Sequence, residues 1–248
     1  MSGHSKWATI KHKKGAADKA RGKLFNKLAR QIEVAARAGG TDVETNASLR
    51  TMVQKAKAGQ MTKDAIDRAI KRGGGETGGA NYESITYEGY APGGVALLVD
   101  VLTDNRNRTA SDVRNAFSKF GGAMAEPGAV GWQFTRRGLI LVPSKFDEDA
   151  VMAAALEAGA EDVEADGDSW RVLTESSAVY DIQDALVAAG IEVQSAESTM
   201  VSSNTIEVTN VDDAKQILRI MDMLEDNDDV QDVYANFDID ESIMQEIE

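Results

Sequence analysis

Apolar positions in the first eighty residues recur at helical spacing. Leu24, Leu28, Ile32 and Ala35 stand at i, i+4, i+8 and i+11, laying a stripe along a helix from about Asp18 to Ala38. Gly39-Gly40 is its stop signal. Asn46 is a good N-cap for a second helix carrying Leu49, Val53 and Ala56 and ending at Gly59. A third, capped by Thr62, carries Ile66 and Ile70. Its pairs Asp64/Arg68 and Asp67/Lys71 lie four apart with the acid leading, the favourable order. Residues 1–17 have no such periodicity and read as a flexible basic arm. The glycine-rich run from Gly73 to Gly79 reads as a hinge. It lacks the Lys-Ser/Thr of a phosphate loop, and no strand precedes it.

Beyond the hinge the period changes to mixed strand and helix. Tyr82–Tyr90 and Val95–Val101 predict strands joined by the turn Ala91-Pro92-Gly93-Gly94. A helix is expected from Arg108 or Thr109, carrying Val113, Phe117 and Phe120, then a strand over Val130–Phe134. From Leu139 a second series follows: a strand to Val142, a helix near Asp147–Ala158, strands near Asp162–Ala165 and Trp170–Thr174, a helix at Ala178–Ala189, and a strand from Ile191. That order is β-α-β-β-α-β, the split βαβ arrangement. The tail adds a strand at Thr205–Val208, a helix at Asp212–Leu224 and a strand at Val230–Asn236. The reading is an α+β chain: an N-terminal three-helix domain followed by two βαββαβ-type domains, one inserted in the other. The expected boundaries are 1–79 for the arm and helices, 80–136 with 204–248 for a discontinuous α+β domain, and 137–203 for the inserted, ferredoxin-like one.

Charge changes the picture. The net charge is −14, yet residues 1–80 hold 17 Lys+Arg against 7 Asp+Glu, while residues 81–248 hold 10 against 34. Such asymmetry points to a basic end that meets polyanions and an acidic body that keeps the protein soluble. The alternative is that the two ends neutralise each other within the molecule. The absence of cysteine excludes disulfides, thiolate nucleophiles and cysteine-held metals. With no long apolar run for a membrane and no secretory leader pattern, a cytoplasmic location is expected.

Candidate chemistry concentrates at two places. Lys6, Lys11, His12, Lys13 and Lys14 form one basic cluster, and Lys19, Arg21, Lys23, Lys27 and Arg30 continue it. Positions 19, 23, 27 and 30 follow helical spacing beside the apolar stripe, so one face can pack while its neighbour meets phosphates. Binding of that kind falls steeply with salt. Trp7 either stacks on an unpaired base or docks onto the helices. The second place is Thr103-Asp104-Asn105-Arg106-Asn107-Arg108-Thr109, between a strand and a helix. Its Arg106 and Arg108 grip phosphate or carboxylate, or form ion pairs within the acidic domain.

Enzyme readings find little support. The only histidines, His4 and His12, lie in the arm, and no hydrolase, metalloprotease or nucleotide-binding motif stands in its required context. Asp147-Glu148-Asp149 and Glu225-Asp226-Asn227-Asp228-Asp229 match no metal-loop spacing and read as solvated acid. No cofactor and no small-molecule substrate is implied.

Several stretches together resemble the YebC family. They are Gly3-His4-Ser5-Lys6-Trp7 with Ile10-Lys11-His12-Lys13-Lys14, then Tyr87 to Ala96, then Thr103 to Thr109, and finally Leu224-Glu225-Asp226 with Asp228-Asp229-Val230 and Val233-Tyr234. The chain departs from the family pattern at Ala47, Thr62 and Ala91. The resemblance implies three domains, a helical one and two α+β ones with one inserted, and gene regulation without catalysis. Bacterial members are described as DNA-binding transcriptional regulators or ribosome-associated factors, and mitochondrial relatives as translational activators. A mobile lysine-rich arm with one tryptophan suits irregular RNA, so ribosomal RNA on the ribosome is the favoured target. Promoter DNA and a protein partner for the acidic domains are the alternatives.

Overall fold

A computed structural model of the chain describes residues 17–75, 81–239 and 241–247. Of the expected arm, residues 1–17, residues 1–16 lie outside the described residues and Ala17 opens the first helix.

Helices α1 (Ala17–Gly39), α2 (Ala47–Ala58) and α3 (Lys63–Gly73) pack around one core. The core takes Leu28, Ile32 and Ala35 from α1, Leu49, Val53 and Ala56 from α2, and Ile66 and Ala69 from α3. Burying each of the larger side chains contributes about 1.5–3 kcal/mol. Leu24, expected at the head of this stripe, is 43% exposed, so the buried stripe begins at Leu28. Asn46 does more than cap α2. Its Oδ1 accepts from the Leu49 N–H at 3.0 Å, and its Nδ2 donates to the Ala35 and Gly40 carbonyls, tying α2 to the end of α1. Thr62 holds the N-cap position of α3 without a side-chain cap bond. Gly73 lets α3 press on α1, since a Cβ there would stand 2.5 Å from the Glu33 carbonyl oxygen.

The first sheet has the order β3-β1-β2-β9, from β1 (Glu83–Tyr90), β2 (Ala96–Thr103), β3 (Ala123–Ala125) and β9 (Val230–Ala235). Strand β1 is antiparallel to both β2 and β3 and lies between them, so β2 and β3 run parallel around it. Between them in the chain comes α4 (Arg106–Lys119). Leu97, Val99 and Val101 face α4 and the long helix α7 (Val211–Glu225), whereas Ala96 and Leu98 face Val130, Phe134 and Tyr234 on the other side. Burial on both faces explains why β2 reads as a continuous apolar run rather than an alternation.

The second sheet, all antiparallel, has the order β5-β6-β4-β7. Its elements are β4 (Phe134–Pro143), α5 (Glu148–Glu157), β5 (Asp162–Asp166), β6 (Ser169–Thr174), α6 (Val179–Ala188) and β7 (Ser195–Ser202). This is the split arrangement anticipated for that stretch. The chain enters through Gln133 and leaves through Ser203, and the two crossings are joined: the Ser203 N–H donates to the Gln133 carbonyl at 2.8 Å. Buried Asn236 locks them to β2, donating to Gln133 Oε1 at 3.1 Å and accepting from the Ala96 N–H at 2.7 Å. Beyond the sheets, β8 (Ile206–Val208) pairs in parallel with β10 (Phe237–Ile239), and α8 (Glu241–Ile247) closes the described chain.

An α+β fold with a helical N-terminal region is therefore what the structure shows, with local corrections. Helix α4 starts at Arg106 rather than Arg108 or Thr109, because Asn105 is its N-cap and accepts from the Arg108 N–H at 3.1 Å. The strand expected over Val130–Phe134 is a 3-10 turn at Gly131–Gln133, and β4 begins at Phe134 instead of Leu139. The N–H groups of Gly128, Val130 and Gly131 are taken by the Glu88 carboxylate, which removes them from any ladder. The strand expected from Ile191 begins at Ser195. Ile191 instead closes α6: its N–H bonds the Leu186 carbonyl at 3.0 Å after Gly190 turns with φ 82°.

Candidate nucleic-acid interface

On α1 the cations expected to meet phosphate meet something else. Lys23 Nζ donates to Asp226 Oδ1 at 2.7 Å and to the Asp226 carbonyl at 3.2 Å. Lys27 Nζ donates to the Glu225 carbonyl at 2.9 Å. Arg30 Nη1 donates to the Asp228 carbonyl at 2.9 Å and to Asp229 Oδ1 at 3.0 Å, with its guanidinium 5.3 Å above the Tyr82 ring centroid. The last carbonyls of a helix lack partners and carry the negative end of its dipole. Helix α7 has no basic residue in its last turn, and α1 supplies the cations from about two hundred residues away. The acidic run Glu225 to Asp229, expected to be solvated, is thus the partner of the basic face. The pairing realises in part the mutual neutralisation of the two ends.

Asp229 is the hub of this contact. Only 5% exposed, it accepts through Oδ2 from Arg108 at 2.6 Å, Thr109 at 2.7 Å and Thr103 at 3.3 Å, and through Oδ1 from Arg30. Burial pushes its carboxyl pKa up, but the hydrogen bonds from Arg108, Thr109 and Arg30 outweigh that and leave it below the usual carboxylate value. Arg108 also bonds Asp104 at 3.0 Å. A cavity of about 430 Å³ opens beside this hub, lined by Arg30 and Arg108 and by five aspartates within 104–112 and 226–229.

The two arginines of the Thr103–Thr109 loop therefore part company. Arg108 has carboxylate partners, whereas Arg106 is exposed and makes no hydrogen bond or ion pair with a described residue. Both Arg106 and Arg114, two helical turns further along α4, lie near the phenol of Tyr87. Burial raises the Tyr87 pKa, and the two guanidinium charges oppose that rise. The Tyr87 hydroxyl is buried without a hydrogen-bond partner among the described residues. Arg114 was not singled out from the sequence. Its only signal there is a position two turns after Arg106 on one helix.

Of the remaining expected residues, Lys19 and Arg21 fall in the first turns of α1. Lys6, Trp7, Lys11, His12, Lys13 and Lys14 lie outside the described residues. Asp147 is the N-cap of α5, accepting from the Ala150 N–H at 3.2 Å, with Glu148 and Asp149 in the first turn where acids suit the dipole. Among the described residues no cluster of three or more His, Asp or Glu side chains is arranged to hold a metal ion, and no helix is long and apolar enough to cross a membrane.

Comparison with known proteins bears on the whole chain. A family model described as the TACO1/YebC protein N-terminal domain matches residues 5–76, and one described as the TACO1/YebC second and third domain matches residues 82–237. A protein of Rubrobacter xylanophilus named "Probable transcriptional regulatory protein" is 57% identical over 251 residues, covering 100% of this chain and 99% of that one. A Geobacter protein of the same designation is 51% identical over the full length of both chains. The crystal structure of a conserved hypothetical protein from Aquifex aeolicus superposes with a TM-score of 0.77 at 42% identity, covering 90% of this chain and 93% of the other. Two family models in register with the helical and sheet regions, and relatives alike from end to end, place this chain in the TACO1/YebC family, whose curated relatives are named as regulators of transcription.

Proposed function

We propose that this protein regulates gene expression without catalysis by binding nucleic acid, with ribosomal RNA as the favoured target and the cytoplasmic ribosome as the place of action. The observation that carries the reading is the row of cations on α1, each already holding an oxygen acceptor. A phosphate backbone offers oxygen acceptors of its own to such a row of cations. Exchange is cheap at the outer end of the row, where the Asp226 side chain is 79% exposed. Ion pairs that open to water contribute only about 0–1 kcal/mol. Lys6, Trp7, Lys11, His12, Lys13, Lys14, Lys19 and Arg21, which precede these cations in the sequence, are assigned to the same contact. Arg106 and Arg114 offer two further guanidinium groups without carboxylate partners among the described residues.

The test is sedimentation of lysate through sucrose at low and high salt, with and without nuclease. Salt-sensitive co-migration with ribosomes is the expected result. A second reading, promoter DNA, is favoured by the names of the relatives. Protein found only at the top of the gradient, with salt-sensitive binding to duplex DNA, would put that reading first.

A further inference from the structure

We infer that Trp132 and Tyr90 form a stacking platform for an unpaired nucleobase, a contact separate from the basic face. The inference rests on the nucleic-acid reading above. Trp132 is 73% exposed, the most exposed of the large apolar side chains among the described residues, and Tyr90 is 39% exposed. A lone exposed ring is unremarkable on a protein surface. What sets this one apart is how it is held.

The turn that carries Trp132 is fastened by a buried charge. Glu88 of β1, 8% exposed, accepts through Oε1 from the Gly128 N–H at 2.6 Å. Through Oε2 it accepts from the N–H groups of Val130 and Gly131 at 2.6 and 2.7 Å. Burial pushes the Glu88 carboxyl pKa up, and the three backbone bonds outweigh that and hold it below its usual value. Between these N–H groups Val130 is fully buried against the core shared with Leu98 and Phe134. The backbone under Trp132 is thus fixed from below without help from the indole.

The ring edges are fixed as well. The Trp132 indole N–H and the Tyr90 hydroxyl both donate to the Ala129 carbonyl, each at 3.2 Å. One acceptor ties both rings to the same turn and uses the polar handle of each, while Trp132 stays 73% exposed, leaving its aromatic surface to a ligand. A protein partner would seat a tryptophan in a pocket ringed by further apolar side chains that exclude water. Among the described residues no exposed large apolar side chain besides Tyr90 shares this turn or the strand beside it. The other exposed large apolar residues, Leu24, Leu156 and Val187, lie on α1, α5 and α6. A base needs only a ring face, and stacking accepts any base.

The experiment uses the full-length chain and two probes of equal length, single-stranded oligoadenylate and its abasic counterpart. Stacking of one base on an aromatic is worth about 1–3 kcal/mol, so Trp132→Ala should weaken oligoadenylate binding roughly tenfold. Trp132→Phe should restore most of the loss. The slope of log affinity against log salt should stay unchanged, because no phosphate contact is removed. Abasic-probe binding should not respond to either substitution, and melting temperatures should match the parent. Unchanged oligoadenylate affinity in Trp132→Ala overturns the platform while leaving the nucleic-acid reading intact, and equal loss on both probes also overturns it. A parent chain that binds neither probe overturns both readings.

Discussion

Replacing Asp229 by alanine tests whether the contact between α1 and the acidic turn stabilises the molecule. The side chain accepts four hydrogen bonds, from Thr103, Thr109, Arg108 and Arg30. A hydrogen bond to a charged group is worth about 1.5–3 kcal/mol, and the Thr109 bond, between fully buried partners, belongs in that range. The Thr103 bond at 3.3 Å is longer and contributes less. The two hydroxyls keep each other at 2.7 Å, so neither is orphaned by the substitution. Both arginine side chains reach solvent, and the Arg30 pair adds about 0.5–1 kcal/mol. The expected loss is about 3 kcal/mol, which for a chain of this size lowers Tm by about 6–12 °C.

Circular dichroism melting as a function of pH measures it. The sign follows from the lowered pKa: a carboxyl with a folded pKa below its unfolded value stabilises above the unfolded pKa and loses that contribution as pH falls through the folded one. The gap between parent and variant should be full at pH 7 and narrow progressively as pH falls below about 4. A Tm drop under about 2 °C, or a gap constant from pH 7 to pH 3, refutes the assignment of Asp229 as the hub.

Other perturbations separate the remaining claims. Arg106→Ala should leave Tm unchanged, whereas Arg108→Ala should lower it by removing a partner of buried Asp229; equal effects in thermal melts would contradict the structure. Lys23→Ala with Lys27→Ala should reduce the salt slope of single-strand binding by about 1.4, two phosphate contacts at about 0.7 each, as read by fluorescence anisotropy titrations. Gly138→Ala would bring a Cβ to 2.1 Å from Thr174 Oγ1 and 2.8 Å from Val179 Cβ, so unfolding in urea should show a loss of about 1–3 kcal/mol. Asp100 has a pKa raised by burial and by Asp232, its cross-strand neighbour, against the lowering effects of Thr86, Arg136 and Lys55. Its charging therefore costs stability as pH rises through the folded pKa, so Asp100→Asn should raise Tm at pH 7 and lose that gain below about pH 3.8.

Much of the fold was legible because its signals are local. Asn46 as a cap of α2, Asp147 and Gly190 act within a turn of where they stand, and the apolar periods of α1 and α7 need only a helix and a core. The run Val95–Val101 announced a strand, and the structure adds that both its faces are buried. Less legible were groups whose partners are remote in sequence. Glu88 sits in a strand like any polar residue, and only the fold brings it under Gly128, Val130 and Gly131, turning an expected strand into a turn that presents Trp132. The basic row of α1 and the acid of residues 225–229 were both visible as charge. Charge has no direction along a chain, however, and composition alone left open whether the row faces a ligand or its own C-terminal half. Packing α1 and the start of α4 beside the end of α7 gives Lys23, Lys27, Arg30 and Arg108 oxygens of the protein itself as partners in the free chain. Spacing along a chain determines helices, strands and the faces they bury; which remote group meets which face depends on how those elements are packed.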